Sequence, residues 1–249
     1  MGAWLAFADA GIVPTDLFGC SAGAIVSAMQ ATGRSVSECE LIVRGLRTRD
    51  VVRKLRFWKL RAFWLTHFCD PAPIEALVNE LLPESFNALQ IPLTVSATSM
   101  GPRSAYRNLF FMGPKLRQAV RASMAIAGAW PYVDINGNPH SDGGTTDAIV
   151  LPRNLDKYDA FYIVNLTRDR QQYRNRDKNI ISRLVWNVEQ LAAYERIQTL
   201  EECSARPNVH WISIDLGDSS MLAFDHDLIL TARIQASQQL KEISRATEK

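Results

Sequence analysis

The chain of 249 residues has few cysteines, no long apolar run and almost no net charge, and these absences exclude several classes of protein. No run approaches the roughly 18 apolar residues of a bilayer-spanning helix, and residues 1–11 lack the basic start of a signal peptide. The formal net charge of +2 is too small to point to a charged partner such as nucleic acid. Because the cysteines are too scattered for a zinc site or a disulfide framework, we expect a cytoplasmic protein with free thiols at Cys20, Cys39, Cys69 and Cys203.

Strand-like and helix-like segments alternate along the chain, which predicts an α/β fold. Apolar runs and β-branched residues predict strands over residues 15–19, 91–99, 160–167 and 209–216. Helical periodicity predicts helices over residues 1–11, 22–32, 71–83, 115–126, 181–205 and 222–245. The expected architecture is a three-layer α/β/α sandwich with a mostly parallel central sheet, formed as a single domain over residues 1–249.

Ser21 stands at the centre of a G-x-S-x-G motif, Gly19-Cys20-Ser21-Ala22-Gly23, between an apolar run and a helical segment. This context is typical of a nucleophile elbow, in which a sharp turn exposes the serine hydroxyl. The elbow requires small residues two positions before and two positions after the serine, because large side chains would collide across the turn, and Gly19 and Gly23 meet that need. The helix N-terminus would direct N–H groups towards a developing negative charge. The same spacing also arises by chance at an ordinary helix cap, so the motif alone leaves both interpretations open.

Asp142 follows a short polar hairpin, NGNP, and is itself followed by Gly143 and Gly144. Two glycines beside a carboxylate let the backbone turn and let another group approach closely. Taken alone, this pattern favours an ordinary Asp-Gly turn. A serine nucleophile needs a base, however, and Asp142 is the candidate that this stretch offers.

Three stretches together resemble patatin-like phospholipases. GCSAGAIVSAM resembles the nucleophile segment of that family, RASMAIAGAWPYVDINGNPHSDGGTTDAIVLP resembles its second signature, and GAWLAFADAGIVP resembles the helix before the nucleophile strand. The similarity covers residues 2–33 and 117–152. It implies a patatin-like fold and a Ser-Asp dyad, with Ser21 as nucleophile and Asp142 as proton acceptor. It also implies a lipid acyl hydrolase that acts on phospholipids or other fatty-acyl esters through an acyl-enzyme in lipid catabolism, without metal or organic cofactor.

The sequence does not contain one element of the family that it resembles, the loop Gly-Gly-Gly-x-Lys/Arg-Gly whose N–H groups form the oxyanion hole. The printed chain begins at Met1, within the region where that loop is expected. Two expectations follow: either the natural start lies upstream, or the chain is a catalytically impaired relative that binds lipid or serves as a scaffold. By analogy with other elbows, the Ala22 N–H is the remaining candidate oxyanion donor.

Basic and aromatic residues are interleaved between positions 44 and 65. On a helix, one face would carry Val51, Leu55, Trp58, Ala62 and Leu65. This composition predicts peripheral contact with anionic lipid, or a flanking helix that packs its apolar face on the domain. A nucleic-acid partner is not expected because no binding motif is present. Arg117 and Arg121 would either attract a phosphate head group or remain as solvated helix charges.

A catalytic triad of the α/β-hydrolase type is the alternative chemistry that the sequence allows. Its chain order would be Ser21, Asp142 and then His210 or His226. The remaining histidines have no partners at useful spacing and are expected to be non-catalytic; they are His67 and His140.

Overall fold

The computed structural model describes residues 1–51, 53, 67, 69–101, 105–146, 148–167, 203, 205–217 and 226–247. Their helices are Gly2–Asp9 (α1), Ala22–Ala31 (α2), Val36–Gly45 (α3), Thr48–Val51 (α4), Ala72–Leu81 (α5), Leu116–Ser123 (α6) and Asp227–Thr247 (α7). Their strands are Leu17–Cys20 (β1), Leu93–Met100 (β2), Ala105–Phe110 (β3), Val133–Ile135 (β4), Asn138–Asp142 (β5), Phe161–Thr167 (β6) and Val209–Asp215 (β7). This order confirms the predicted α/β fold. The helix predicted over 181–205 lies outside the described residues except at Cys203 and Ala205.

The chain divides into two compact units, each described by itself. The five-stranded unit comprises residues Pro14–Cys39 and Gly45–Val150, and the two-stranded unit comprises Met1–Val13, Glu40–Arg44 and Leu151–Lys249. The single domain expected over residues 1–249 stays a prediction.

Strand β2 organises the five-stranded unit because two other strands end side by side along it. β1 runs parallel to β2, and its last residue, Cys20, pairs with Ser96. β5 runs antiparallel to β2, and its last residue, Asp142, pairs with Ala97. β3 pairs antiparallel with positions 95–100 of β2, which overlap both partners, so it lies on the other edge of β2. The ends of β1 and β5 therefore meet at consecutive residues of one strand.

The hairpin of β4 and β5 delivers Asp142 to this meeting point. Its two-residue turn consists of Asn136 and Gly137, both with positive φ, at 58° and 77°. Two positive φ values are the geometry of a type I′ turn, which matches the twist of antiparallel strands. The polar hairpin predicted from NGNP is thus confirmed, with Ile135 paired to Asn138.

Helices α1 and α7 cover the parallel pair β6–β7 in the two-stranded unit. Small residues let the two helices approach closely, and a Cβ atom on Gly2 would lie 2.4 Å from the Ile229 carbonyl oxygen. Arg233 joins the helices through two hydrogen bonds of 2.8 Å to Asp9. One cluster of buried residues in this unit comprises Ala3, Ala6, Phe7, Ile212, Ile214, Ala232, Ala236 and Leu240.

Two elements, α3 and β3, were not predicted from the sequence. Helix α3 begins with a capping box, in which the Glu38 carboxylate accepts from the Ser35 N–H and the Ser35 hydroxyl accepts from the Glu38 N–H. The S-x-x-E spacing was therefore a usable signal. Strand β3 carries Arg107 and Asn108 at its centre and lacks an alternating pattern, so its strand character depends on pairing with β2. Among the described residues, no helix is long and apolar enough to cross a membrane.

Candidate active site

Ser21 and Asp142 meet where the ends of β1 and β5 adjoin. The Ser21 hydroxyl donates a hydrogen bond to Asp142 Oδ2 over 2.6 Å, although the residues are 121 positions apart in the chain. The consecutive pairings of Cys20 and Asp142 with β2 explain this contact. Sequence reasoning named both residues, and the fold brings them together.

The backbone at Ser21 turns sharply between β1 and α2. Its φ of 54° and ψ of −128° lie in a region that non-glycine residues rarely occupy. A Cβ atom on Gly19 would lie 2.6 Å from Ala24 Cα, so the predicted need for a small residue is correct at position 19. At position 23 the need is weaker, because a Cβ atom on the exposed Gly23 would meet nothing within 4 Å and alanine would fit there.

Ser123 fixes the turn from the other side. Its Oγ accepts the Ser21 backbone N–H over 2.8 Å, and the residue is fully buried as the last residue of α6. Sequence reasoning did not assign this residue a role, although it stands within the Arg-Ala-Ser part of the second signature. The contact joins positions 102 residues apart, so no local pattern indicates it.

Asp142 is only 6% exposed and is held by both its side chain and its backbone. Its Oδ1 accepts the Gly144 N–H over 2.8 Å, which leaves Oδ2 for Ser21. Its own N–H donates to the Ala125 carbonyl over 2.9 Å, and its carbonyl accepts from the Thr98 hydroxyl over 2.9 Å. The carboxylate therefore has a fixed orientation.

Burial also changes the acidity of this carboxyl. It raises the pKa of Asp142 from its ordinary value of 3.8 to about 6, because the charged form loses solvation. The hydrogen bonds from Ser21 and Gly144 act in the opposite direction and only partly offset the effect. The carboxylate consequently binds a proton much more strongly than an exposed aspartate.

The two glycines after Asp142 have different physical roles. A Cβ atom on Gly143 would lie 2.6 Å from the Ser96 carbonyl oxygen and 2.8 Å from Cys20 Sγ, so this position must remain free of a side chain. Gly144 lies in the short 3₁₀ turn Gly143–Thr145 and supplies the N–H that orients the carboxylate. The predicted close approach is thus found at Gly143.

Helix α2 begins at Ala22, directly after Ser21. The first N–H groups of a helix have no acceptor within it, and the helix dipole places partial positive charge at that end. Ala22, the residue that the sequence names as candidate oxyanion donor, is exposed at this helix start. Across the described ranges, no three His, Cys, Asp or Glu side chains come together as a metal site.

The histidines considered from the sequence belong to other elements of the fold. His140 is buried and bonds through its ring nitrogens to the Asn138 carbonyl and the Asn108 side chain, at 2.8 and 3.2 Å. His210 belongs to strand β7 of the two-stranded unit, where its ring packs against Tyr162. His226 stands just before α7 in that same unit.

The structure corrects the expectation that Arg121 carries a solvated charge. Only 5% of the residue is exposed, and its Nε lies 3.8 Å from Glu75 Oε1. Burial lowers the pKa of its guanidinium, and Glu75 acts against that shift. Arg117 is partly buried and donates to the Leu82 carbonyl over 2.8 Å. The stretch 44–65 lies mostly outside the described residues, which include Val51 but none of the other four positions of its predicted apolar face.

Comparisons with known proteins concern the family and the fold of the chain. A family model described as patatin-like phospholipase matches residues 1–152. The crystal structure of VipD from Legionella pneumophila is similar with a TM-score of 0.51 and 13% identity, over 98% of this chain and 64% of the VipD chain. This chain thus spans less than two thirds of VipD, and at that identity the likeness concerns the fold alone. No protein of curated function matches the chain.

Proposed function

The chain belongs to the family of patatin-like phospholipases, and from that premise we propose that it is a lipid acyl hydrolase acting on fatty-acyl esters such as phospholipids. Ser21 is the nucleophile and Asp142 the proton acceptor. The observation that carries the proposal is the 2.6 Å hydrogen bond from the Ser21 hydroxyl to Asp142 Oδ2, on a strained turn at the start of a helix. A nucleophile bonded directly to its base is the arrangement that covalent catalysis requires.

A dyad accounts for this contact better than a triad. In a Ser-His-Asp triad the imidazole lies between the serine and the carboxylate. Here the hydroxyl and the carboxylate are in direct contact, so no imidazole fits between them. His210 and His226 are therefore not part of the proposed machinery.

In the acylation step, Ser21 Oγ attacks the ester carbonyl carbon while its proton moves to Asp142 Oδ2. The tetrahedral intermediate then collapses and its bond to the leaving oxygen breaks. Asp142 returns the proton to that oxygen, so a neutral alcohol departs and the acyl group remains on Ser21. The Gly144 N–H holds Oδ1 throughout, which keeps Oδ2 aligned with Ser21.

In the deacylation step, a water molecule gives a proton to Asp142 and attacks the acyl carbonyl. Collapse of the second tetrahedral intermediate breaks the bond to Ser21 Oγ, which takes the proton back from Asp142. The products are a fatty acid and the free enzyme. The Ala22 N–H and the positive end of the α2 dipole face the negative charge that develops in both steps.

The lipid surface itself is a further part of the proposal. The basic and aromatic composition of residues 44–65 supports peripheral contact with anionic phospholipid, which would bring the ester bond to Ser21.

A fluorophosphonate probe tests the nucleophile directly. We expect the full chain to form one covalent adduct, on the peptide that contains Ser21, and to hydrolyse fatty-acyl esters. Ser21→Ala should abolish the adduct and lower the hydrolysis rate by more than about 10³-fold, because the reacting oxygen is removed.

Ser99→Ala is the matched control, since it removes the hydroxyl of a different serine, a buried one, from the same unit. It should leave labelling and hydrolysis unchanged. A native chain that forms no adduct and releases no fatty acid would contradict the proposal and favour a lipid-binding relative without turnover. Hydrolysis that survives Ser21→Ala would remove Ser21 from the mechanism.

A further inference from the structure

We propose that residues 122–125, at the end of α6, form a clamp that positions both reacting groups, with Ser123 as the positioning residue for Ser21. The inference rests on the proposed function, in which Ser21 and Asp142 are those groups. Ser123 is fully buried, so it acts through the Ser21 backbone rather than on substrate.

The first half of the clamp holds the nucleophile. Ser21 lies between the end of β1 and the start of α2, and its carbonyl accepts the Ala24 N–H over 2.9 Å. Its own N–H donates to Ser123 Oγ over 2.8 Å. A backbone N–H at the edge of a buried site is costly to leave without an acceptor, so this bond favours the strained backbone of Ser21 over relaxed alternatives.

The second half of the clamp holds the base. Two residues after Ser123, the Ala125 carbonyl accepts the Asp142 N–H over 2.9 Å and the Ser141 hydroxyl over 3.0 Å. The clamp is itself closed by a bond from the Ala125 N–H to the Ala122 carbonyl over 3.0 Å. The acceptors for the amides of Ser21 and Asp142 therefore lie two residues apart on one short, internally bonded segment.

This arrangement gives the clamp control over the distance between Ser21 Oγ and Asp142 Oδ2. The strands bring the two residues near each other, whereas Ser123 Oγ and the Ala125 carbonyl fix the positions of their backbones. With both backbones fixed, Ser21 Oγ lies 2.6 Å from Asp142 Oδ2. A misplacement of about 1 Å between reacting groups slows an enzyme up to about 10²-fold. Loss of the Ser123 hydroxyl should therefore slow the chemical step and leave substrate binding intact.

The test compares wild type and Ser123→Ala in the full chain, with p-nitrophenyl butyrate for hydrolysis and a fluorophosphonate for nucleophile reactivity. We expect kcat and the labelling rate constant to fall together, by about ten- to a hundredfold, with KM unchanged. Hydrogen–deuterium exchange should show a faster-exchanging Ser21 amide, because its acceptor is gone. Ser123→Cys keeps a weak acceptor of similar size and should recover part of the rate.

Ser99→Ala is the control for removal of a buried hydroxyl. Ser99 is also fully buried, lies three residues along β2 from Ser96, and has a hydroxyl without a hydrogen-bond partner in the part of the chain that the structure describes. Its variant should match wild type in kcat, KM and exchange of the Ser21 amide.

The proposal is overturned if Ser123→Ala changes kcat and amide exchange no more than Ser99→Ala does, or if the loss appears in KM instead. If Ser123→Ala does not fold, Ser123→Cys carries the same comparison, with a smaller loss expected in kcat alone. Failure of the proposed function is a separate result. A wild-type chain that neither labels nor hydrolyses would end that proposal, while exchange of the Ser21 amide would still support or refute the clamp.

Discussion

Replacing Asp142 with asparagine should abolish ester hydrolysis and, at neutral pH, stabilise the fold. Asparagine has the shape of aspartate, so its Oδ1 can still accept the Gly144 N–H and its amide can still bond to Ser21. What the substitution removes is a negative charge from a site that is only 6% exposed.

The size of the effect follows from the pKa of Asp142, which burial raises from 3.8 to about 6. Below pH 3.8 the carboxyl is protonated in both the folded and the unfolded chain, so ionisation does not affect stability. Between these values only the unfolded chain loses the proton, so the free energy of unfolding falls as the pH rises. Above about pH 6 the penalty is constant. With about 1.4 kcal/mol for each pKa unit, it amounts to about 3 kcal/mol.

Urea denaturation of wild type and Asp142→Asn at pH 8 and pH 5 measures this penalty. The variant should be more stable by about 3 kcal/mol at pH 8 and by about half as much at pH 5, because most of the folded carboxyl has regained its proton at pH 5. Asp134→Asn is the control, since Asp134 is exposed and its Oδ1 accepts the Gly137 N–H. A stability difference for Asp142→Asn that is absent, reversed, or independent of pH would refute the burial argument.

Two further outcomes are expected. Because the ionised form of Asp142 is the base, kcat/KM should rise about tenfold per pH unit up to about pH 6 and then level off. A flat profile from pH 5 to 8 would show that no carboxyl of this pKa controls the rate. Gly143→Ala should lower the free energy of unfolding by about 1–3 kcal/mol and slow hydrolysis, because its Cβ would overlap the Ser96 carbonyl. The paired variant Gly23→Ala meets open space and should be neutral or up to about 1 kcal/mol more stable, so equal effects of the two substitutions in urea denaturation would contradict the geometry.

The parts of the site that local chemistry dictates could be predicted from the sequence. A strand, a serine between glycines and a small-residue helix form an elbow through contacts within a few residues, such as Gly19 against Ala24. The Asn136-Gly137 turn is local in the same way, because both residues tolerate positive φ. Helix α3 was missed although its Ser35–Glu38 capping box was visible.

The remaining features depend on pairings between distant segments, which no local pattern encodes. The meeting of Ser21 with Asp142 requires β1 and β5 to end at consecutive residues of β2, and a shift of one register position would separate them. The role of Ser123 depends on the same register. Periodicity predicts that Arg121 lies on a helix, but it does not indicate that α5 packs over this side chain and brings Glu75 next to it.

The same free energy sets the proton affinity of the Asp142 carboxylate and the cost of burying its charge in the folded chain. An exposed aspartate is a weak base for taking a proton from a serine hydroxyl, because its pKa lies far below neutral pH. Burial raises that pKa to about 6, which strengthens the hold of the carboxylate on a proton by about 3 kcal/mol. By linkage, the folded state is destabilised at neutral pH by the same amount, since both quantities measure the lost solvation of one charge. A substitution that admitted water to Asp142 without displacing Ser21 should therefore stabilise the fold and weaken the base together. Three hydrogen bonds hold Asp142 in its buried position against that loss of solvation: its carboxylate accepts from the Gly144 N–H, its carbonyl accepts from the Thr98 hydroxyl, and its N–H donates to the Ala125 carbonyl.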